Sequence, residues 1–192
     1  ELFKLNKELA KYSEKEDKLA QLTNSNERSF FLWHLFFQEI FNEGGFDIII
    51  GNPPYVSYYS NTGALLSESE RELIVANYDS VVKKNDRINS MNLFTEFGMK
   101  LLKPNGNLSF IVNKTMGVLP SYMNVRKYFI SNFKVNYLIS NLAPFEAIVD
   151  CLIFSFTNKR PVDEYFFNFF SGNLIVSSRL SIKSIERNIK FE

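Results

Sequence analysis

The run Phe46-Asp47-Ile48-Ile49-Ile50-Gly51 is followed at once by Asn52-Pro53-Pro54-Tyr55, and no other stretch limits the folding of the chain as tightly. Consecutive isoleucines bounded by glycines suit a short strand buried on both faces of a parallel sheet. Neither proline can donate to a ladder, so that strand has to end at Asn52. In an open α/β sheet, ligands collect outside the carboxyl ends of the strands, which is where a tetrapeptide in this position would lie. Proline geometry holds Asn52 and Pro53 extended and fixes where their groups point. Asn52 then offers an amide oxygen and Pro53 a carbonyl, two acceptors close together that suit an NH₂ group. Tyr55 adds a ring face for a planar amide or base, a contact worth roughly 1–3 kcal/mol per base. In a chain of this composition the tetrapeptide is expected by chance on the order of 10⁻³ times. The plain alternative is a strand ended by prolines, with Tyr55 in the core.

The surrounding pattern is that of an α/β protein. Residues 2–22 carry leucines at partly helical spacing and read as a connector helix ended by Thr23-Asn24-Ser25-Asn26. Residues 30–41 form an aromatic block, with His34 inside it, that asks for burial on most faces, and Gly44-Gly45 breaks it. Beyond Tyr55 a polar loop leads to Ser67 and Glu70, spaced as a capping box for a helix to about Asn77. From Asn92, the residues Leu93, Phe94, Phe97, Met99, Leu101 and Leu102 make a helix stopped by Lys103-Pro104-Asn105-Gly106. A second buried strand is expected at 108–112, a helix at 121–132, and further strands at 135–142 and 151–157. The early units imply a parallel sheet. The two later strands lie too close in sequence for a helical crossover and should pair antiparallel. Residues 165–170 and 174–178 are weaker strand candidates.

Composition removes several classes. Lys plus Arg is 22 against 21 for Asp plus Glu, so no global basic field announces nucleic acid and any such contact must be local. The 20 Phe are read first as coding bias rather than as a stacking surface. A single cysteine, Cys151, excludes an internal disulfide or a thiolate zinc cluster and is expected to be a small core residue, in a cytoplasmic protein. No apolar stretch approaches the roughly 20 residues of a membrane span. Neither a Gly-x-Gly-x-x-Gly nor a Walker sequence occurs, so the usual nucleotide-cradling loop is missing.

The run Gly44-Gly45-Phe46-Asp47-Ile48-Ile49-Ile50-Gly51-Asn52-Pro53-Pro54-Tyr55-Val56 resembles the catalytic motif of the gamma-group adenine-N6 DNA methyltransferases, particularly those fused into type II restriction-modification enzymes. Asn92-Leu93-Phe94 and the later Leu101-Leu102-Lys103-Pro104-Asn105-Gly106, with the apolar run after it, are similar to that family's next helix and strand. Asn105 stands where the family has a glycine, and Asn tolerates the same left-handed turn. Phe145, ahead of the strand at 151–157, resembles an aromatic residue that packs on the other face of the target base.

The resemblance implies a class I S-adenosylmethionine-dependent, Rossmann-like sheet, of which this chain holds the carboxyl-terminal half with an antiparallel last strand. It implies S-adenosylmethionine as cofactor, double-stranded DNA and the remainder of a parent polypeptide as partners, and neither membrane nor metal. Adenine would be flipped from the duplex. Its N6 amine would lie between Asn52 and the Pro53 carbonyl, with Tyr55 stacked on the ring and no general base needed before attack. Pro54, Phe145 and Lys114 are the further substrate contacts, Lys114 for phosphate; Lys83-Lys84, Arg126-Lys127 and Lys159-Arg160 are other cations that could touch the backbone. The cofactor-binding residues are unknown, since the family's glycine-bearing loop and acidic residue are expected upstream of Asn52. The organisation expected is a connector at 1–45, the catalytic half at 46–158 and the start of a following module, a target-recognition one, at 159–192. The rival readings are a protein-glutamine or other amide N-methyltransferase, and a fragment that is not catalytic without the rest of its enzyme.

Overall fold

The computed structural model describes residues 12–13, 31–58, 66–81, 88–142, 150–171 and 174–181. The chain divides into two compact units, residues 1–39 and 40–192. In the first, helix α1 (Trp33–Phe36) contains no buried residue. Phe36 is 57% exposed, and the aromatic block satisfies itself by ring contact, Phe31 on Phe36 at 4.7 Å and Trp33 on Phe37 at 5.7 Å. The burial expected of that block is therefore not found, and His34 is exposed. Helix α2 (Gln38–Asn42) follows, and the break at Gly44 and Gly45 is real, with φ of 99° and 117°.

The second unit is built on one sheet in the order β1-β2-β4-β3-β5-β6. Its strands are β1 (Phe46–Gly51), β2 (Leu102–Asn113), β3 (Lys134–Leu142), β4 (Cys151–Thr157), β5 (Glu164–Ser171) and β6 (Leu174–Ser181). β1 and β2 are parallel, as are β3 and β5, while β4 runs antiparallel to both β2 and β3. The short link after β3 thus forces the expected antiparallel return, but β4 slips between β2 and β3 instead of extending the sheet. β5 and β6 pair antiparallel. The segment expected to open a following module therefore supplies two strands to this same sheet. Among the described residues β1 pairs only with β2, so it lies at one end of the sheet.

Between β1 and β2 lie α3 (Glu68–Asn77) and α4 (Ser90–Leu101). The capping box forms as the spacing predicts: the Glu70 amide donates to Ser67 Oγ, and the Ser67 amide donates to the Glu70 carboxylate at 2.7 Å. The Ser67 hydroxyl also donates to that carboxylate at 2.7 Å, and this bond, with the one from the Ser67 amide, holds the Glu70 carboxyl below its ordinary range. α4 starts two residues before the expected Asn92, with Asn89 as its cap. Buried Glu96 reaches back from α4 to accept from the amides of Asp79 and Ser80, both at 2.8 Å, and pairs with Lys100.

β2 begins at Leu102, six residues earlier than expected, and takes in the Lys-Pro-Asn-Gly stretch that read as a stop. The ladder accommodates Pro104 because its register against β1 shifts between Phe46 and Ile48. Asn158 braces the irregular stretch, its side-chain amide donating to the Leu102 carbonyl at 2.9 Å. Asn105 has φ 66°, the left-handed turn expected of it. After β2 come α5 (Thr115–Val118), a 3₁₀ turn (Pro120–Tyr122) and α6 (Met123–Asn132), the first two unexpected.

The core lies on one face of the sheet, where Leu108, Phe110, Val112, Leu138, Leu152, Phe154 and Phe156 meet α4 and α6. Gly98 lets α4 lie close, since a Cβ there would sit 2.5 Å from Leu108. Phe129 of α6 stacks on Phe156 at 5.7 Å. The other face carries hydroxyls and amides, with Ser109 and Tyr137 bonded at 3.0 Å and Asn136 bonded to Asn107 and Ser155. On that face Ile48 and Ile50 are 63% and 79% exposed, so the strand expected to be covered on both faces is covered on one. No helix among the described residues is long and apolar enough to cross a membrane.

Candidate functional site

β1 stops where the prolines begin, and residues 52–56 leave its carboxyl end as irregular backbone. Because β2 runs parallel to β1, its carboxyl end opens at the same edge of the sheet, with Asn113 last and Lys114 just beyond. The candidate residues of the tetrapeptide and Lys114 are thereby brought to one end of one sheet. Asn52 and Pro54 are exposed, Pro53 is buried, and Tyr55 and Lys114 are half-buried. Lys114 is held through its own backbone, its amide donating to the Asp150 carbonyl at 2.9 Å. Phe145 lies outside the described residues.

Tyr55 is not a freely rotating ring. It packs against the edge of the core, its hydroxyl donates to the Ile111 carbonyl at 3.4 Å, and it also bonds with the Cys151 thiol. Burial, with Cys151 adding to it, pushes the phenol up to about 12, so it stays neutral at any ordinary assay pH. Burial likewise raises the Cys151 thiol, keeping it protonated. The cysteine is core-buried as expected, and it also orients the ring, a contact no local pattern reveals.

The backbone beyond the prolines finds its partners in residues 88–90. The Tyr58 amide donates to Ile88 at 3.0 Å, the Ser90 amide to Val56 at 2.9 Å, and Ser57 bridges to Asn89. The Ser90 hydroxyl adds bonds to Pro54 and Val56. None of this was foreseen, because residues 79–90 are polar and without period. The only signal is Asn89-Ser90 standing ahead of an apolar helix, as caps do.

Arg126, a candidate phosphate contact, is instead fully buried, with one guanidinium nitrogen donating to the carbonyls of Met116 and Leu119 at 2.9 and 2.8 Å. It ties the turns after β2 to α6. Lys159 and Arg160 are exposed, and Lys83-Lys84 lie outside the described residues. Among the described residues no group of three or more His, Cys, Asp or Glu is placed to hold a metal ion.

The site as built can accept hydrogen bonds from an amine or amide at Asn52 and present a fixed ring beside it. Among the described residues, Gly44, Gly45, Gly51, Gly98 and Gly106 lie away from this end of the sheet or are packed by the chain's own atoms. Gly44 and Gly45 lie at the opposite end of β1 against residues 101–103; Gly98 is filled by Leu108, and Gly106 lies on the Phe46 carbonyl.

A Methanocaldococcus jannaschii protein named as a type II restriction enzyme and methyltransferase is 35% identical over 141 residues, which is 70% of this chain and 10% of that protein. The chain thus spans about a tenth of the length of the curated relative it matches. Among solved structures, the type IIG restriction endonuclease BpuSI superposes with a TM-score of 0.55 at 13% identity, covering 78% of this chain and 21% of that one. The type IIL restriction-modification enzyme MmeI, solved in complex with DNA, superposes at 0.50 and 16% identity, covering 81% and 21%. Both likenesses concern the fold. The description Eco57I restriction-modification methylase matches residues 1–145. With 145 of its 192 residues inside that match, the chain belongs to the Eco57I restriction-modification methylase family.

Proposed function

We propose that the chain supplies the substrate side of a site-specific DNA adenine-N6 methyltransferase within a restriction-modification enzyme. The observation that carries this reading is an exposed Asn52 held off the carboxyl end of a strand by tandem prolines, with the Tyr55 ring tethered next to it. In this reading the flipped adenine gives its N6 hydrogens to the Asn52 side chain and the Pro53 carbonyl. Both acceptors draw the amine toward tetrahedral geometry and localise its lone pair, so no base has to act first. Positioning of this kind supplies a large share of a rate. Tyr55 and Pro54 flank the ring, Phe145 is the proposed second face, and Lys114 is proposed to meet a phosphate.

The architecture supports a wider proposal. The strands of residues 46–158 make the carboxyl-terminal half of a class I, Rossmann-like sheet, with β4 as its antiparallel insertion and the open edge of β1 as the place where the other half joins. Residues 1–45 lead into this half. Residues 159–192 lead out toward a target-recognition module, with β5 and β6 prolonging the sheet on the way.

S-adenosylmethionine, when bound, supplies an electrophilic methyl group. Among the described residues the fit is poor: Gly45, Gly51, Gly98 and Gly106 are closely packed by this chain's own atoms, which leaves no room for a nucleoside against their backbone. The cofactor pocket is therefore proposed to lie in the rest of the enzyme. The isolated chain is expected to show no S-adenosylmethionine binding in calorimetry at micromolar concentrations, and a micromolar Kd would overturn that assignment.

The function itself is tested with the longer polypeptide and labelled cofactor, offered unmethylated duplex DNA beside a release-factor protein as an amide substrate. Label is expected in DNA, on adenine N6. Label in the protein alone would sink the DNA reading in favour of an amide N-methyltransferase.

A further inference from the structure

We infer that Ser90 is a positioning residue for the Asn52–Tyr55 loop, an inference that rests on the function proposed above. Backbone groups that leave a sheet must find other partners or stay solvated. Here one hydroxyl serves two of them. Ser90 Oγ donates to the Pro54 carbonyl and accepts from the Val56 amide at 2.9 Å. These two groups stand immediately before and after Tyr55, so a single side chain pins the peptide units on both sides of that residue. The main-chain bond from the Ser90 amide to the Val56 carbonyl, at 2.9 Å, completes the grip.

Ser90 is itself immobile. It is 2% exposed and opens the first turn of α4, just after the cap Asn89, whose side chain accepts from the Met91 amide at 2.9 Å. α4 is fastened to the core by Met91, Met99 and Leu101. The far end of the Tyr55 ring is held separately, at the Ile111 carbonyl and the Cys151 thiol. The ring is thus fixed from its backbone by α4 and from its hydroxyl by β2 and β4. An alanine at position 90 would remove the hydroxyl's part of the first anchor, keeping the main-chain bond to Val56, and leave the second untouched. The loop would still be present, but the share of time it spends in reactive geometry would fall.

The test uses Ser90→Ala in the longer, DNA-methylating polypeptide. kcat is expected to fall about 10–100-fold, the loss that a misplacement of about 1 Å can cause. KM for S-adenosylmethionine should stay within about twofold, because a positioning residue for the acceptor does not touch that ligand. Ser90→Thr, which keeps the hydroxyl, should recover most of the lost kcat. Amide exchange at Val56 should quicken in Ser90→Ala. If Ser90→Ala does not fold, Ser90→Cys replaces it, with nearly the same volume, a weaker hydrogen-bonding group and the same expected results. Unchanged kcat in the variant that removes the hydroxyl would overturn the inference, as would a joint loss of kcat and cofactor affinity that threonine does not rescue. A wild-type polypeptide that methylates no DNA refutes the proposed function. The exchange measurement still decides the clamp in that case, since unaltered exchange at Val56 refutes it independently.

Discussion

Asn52→Ala in the longer polypeptide is expected to reduce methyl transfer to DNA by about 10²–10³-fold, the scale of losing one preorganised polar group at a reacting centre. The side chain is exposed at the end of β1, so its removal leaves no hole in the core, and folding should be unaffected. Cofactor affinity should be largely spared, because in the proposed arrangement the amide faces the acceptor and not the donor. The measurement is single-turnover transfer from labelled S-adenosylmethionine, read beside equilibrium binding of cofactor and circular dichroism. Retained turnover would remove Asn52 from its assigned role and leave the tetrapeptide as a strand terminator. Turnover lost together with cofactor binding would point to a general collapse of the site.

Gly45→Ala should have the largest effect on stability. Gly45 sits at φ 117°, a conformation L side chains rarely adopt, and an added Cβ would lie 2.5 Å from the Leu101 carbonyl and 3.0 Å from the Lys103 amide. Both are backbone atoms where α4 passes into β2, so neither can swing aside. Backbone strain and overpacking each cost about 1–3 kcal/mol, and a combined loss of roughly 3 kcal/mol or more is expected in urea denaturation. Gly44→Ala is the internal control. Its φ of 99° carries the strain, but the new Cβ would meet only the Lys103 side chain, at 3.7 Å. A loss of about 1 kcal/mol is expected there. Equal losses at the two positions would show that the close approach to residues 101–103 contributes nothing.

Much of this arrangement is written in short-range pattern. The Ser67–Glu70 box is legible because both partners lie within one turn, and β1 and β4 because apolar, β-branched runs have few other uses. The start of β2 is not legible: Leu101-Leu102 continues a helical stripe, and the paired Phe46, 56 residues earlier, draws Leu102 into a strand. The placement of β4 between β2 and β3 likewise depends on which edge is free when it returns. In the candidate site, Asn52, Pro53, Pro54 and Tyr55 announce themselves as neighbours in sequence. Their support does not, since Ser90 is 34 residues from Val56 and Cys151 is farther still from Tyr55. The motif tells what the chemistry needs, and the fold alone tells what holds it in place.

β1 has a consequence for the order in which the proposed enzyme would become competent. A strand bonded to one neighbour leaves alternate N–H and C=O groups open, and such elements unfold locally at a lower free energy than the interior of their sheet. Asn52 follows directly on such an edge strand, whose Ile48 and Ile50 lie outside the core. The edge strand that leads into the proposed reactive loop would therefore be among the later parts of the sheet to become rigid, even though Ser90 and Ile111 already hold the Tyr55 end of that loop, and a partner strand arriving along β1 would stiffen it. Under the proposed arrangement, the half that brings the methyl donor also tightens the acceptor, so neither half is ready to react before the two have met.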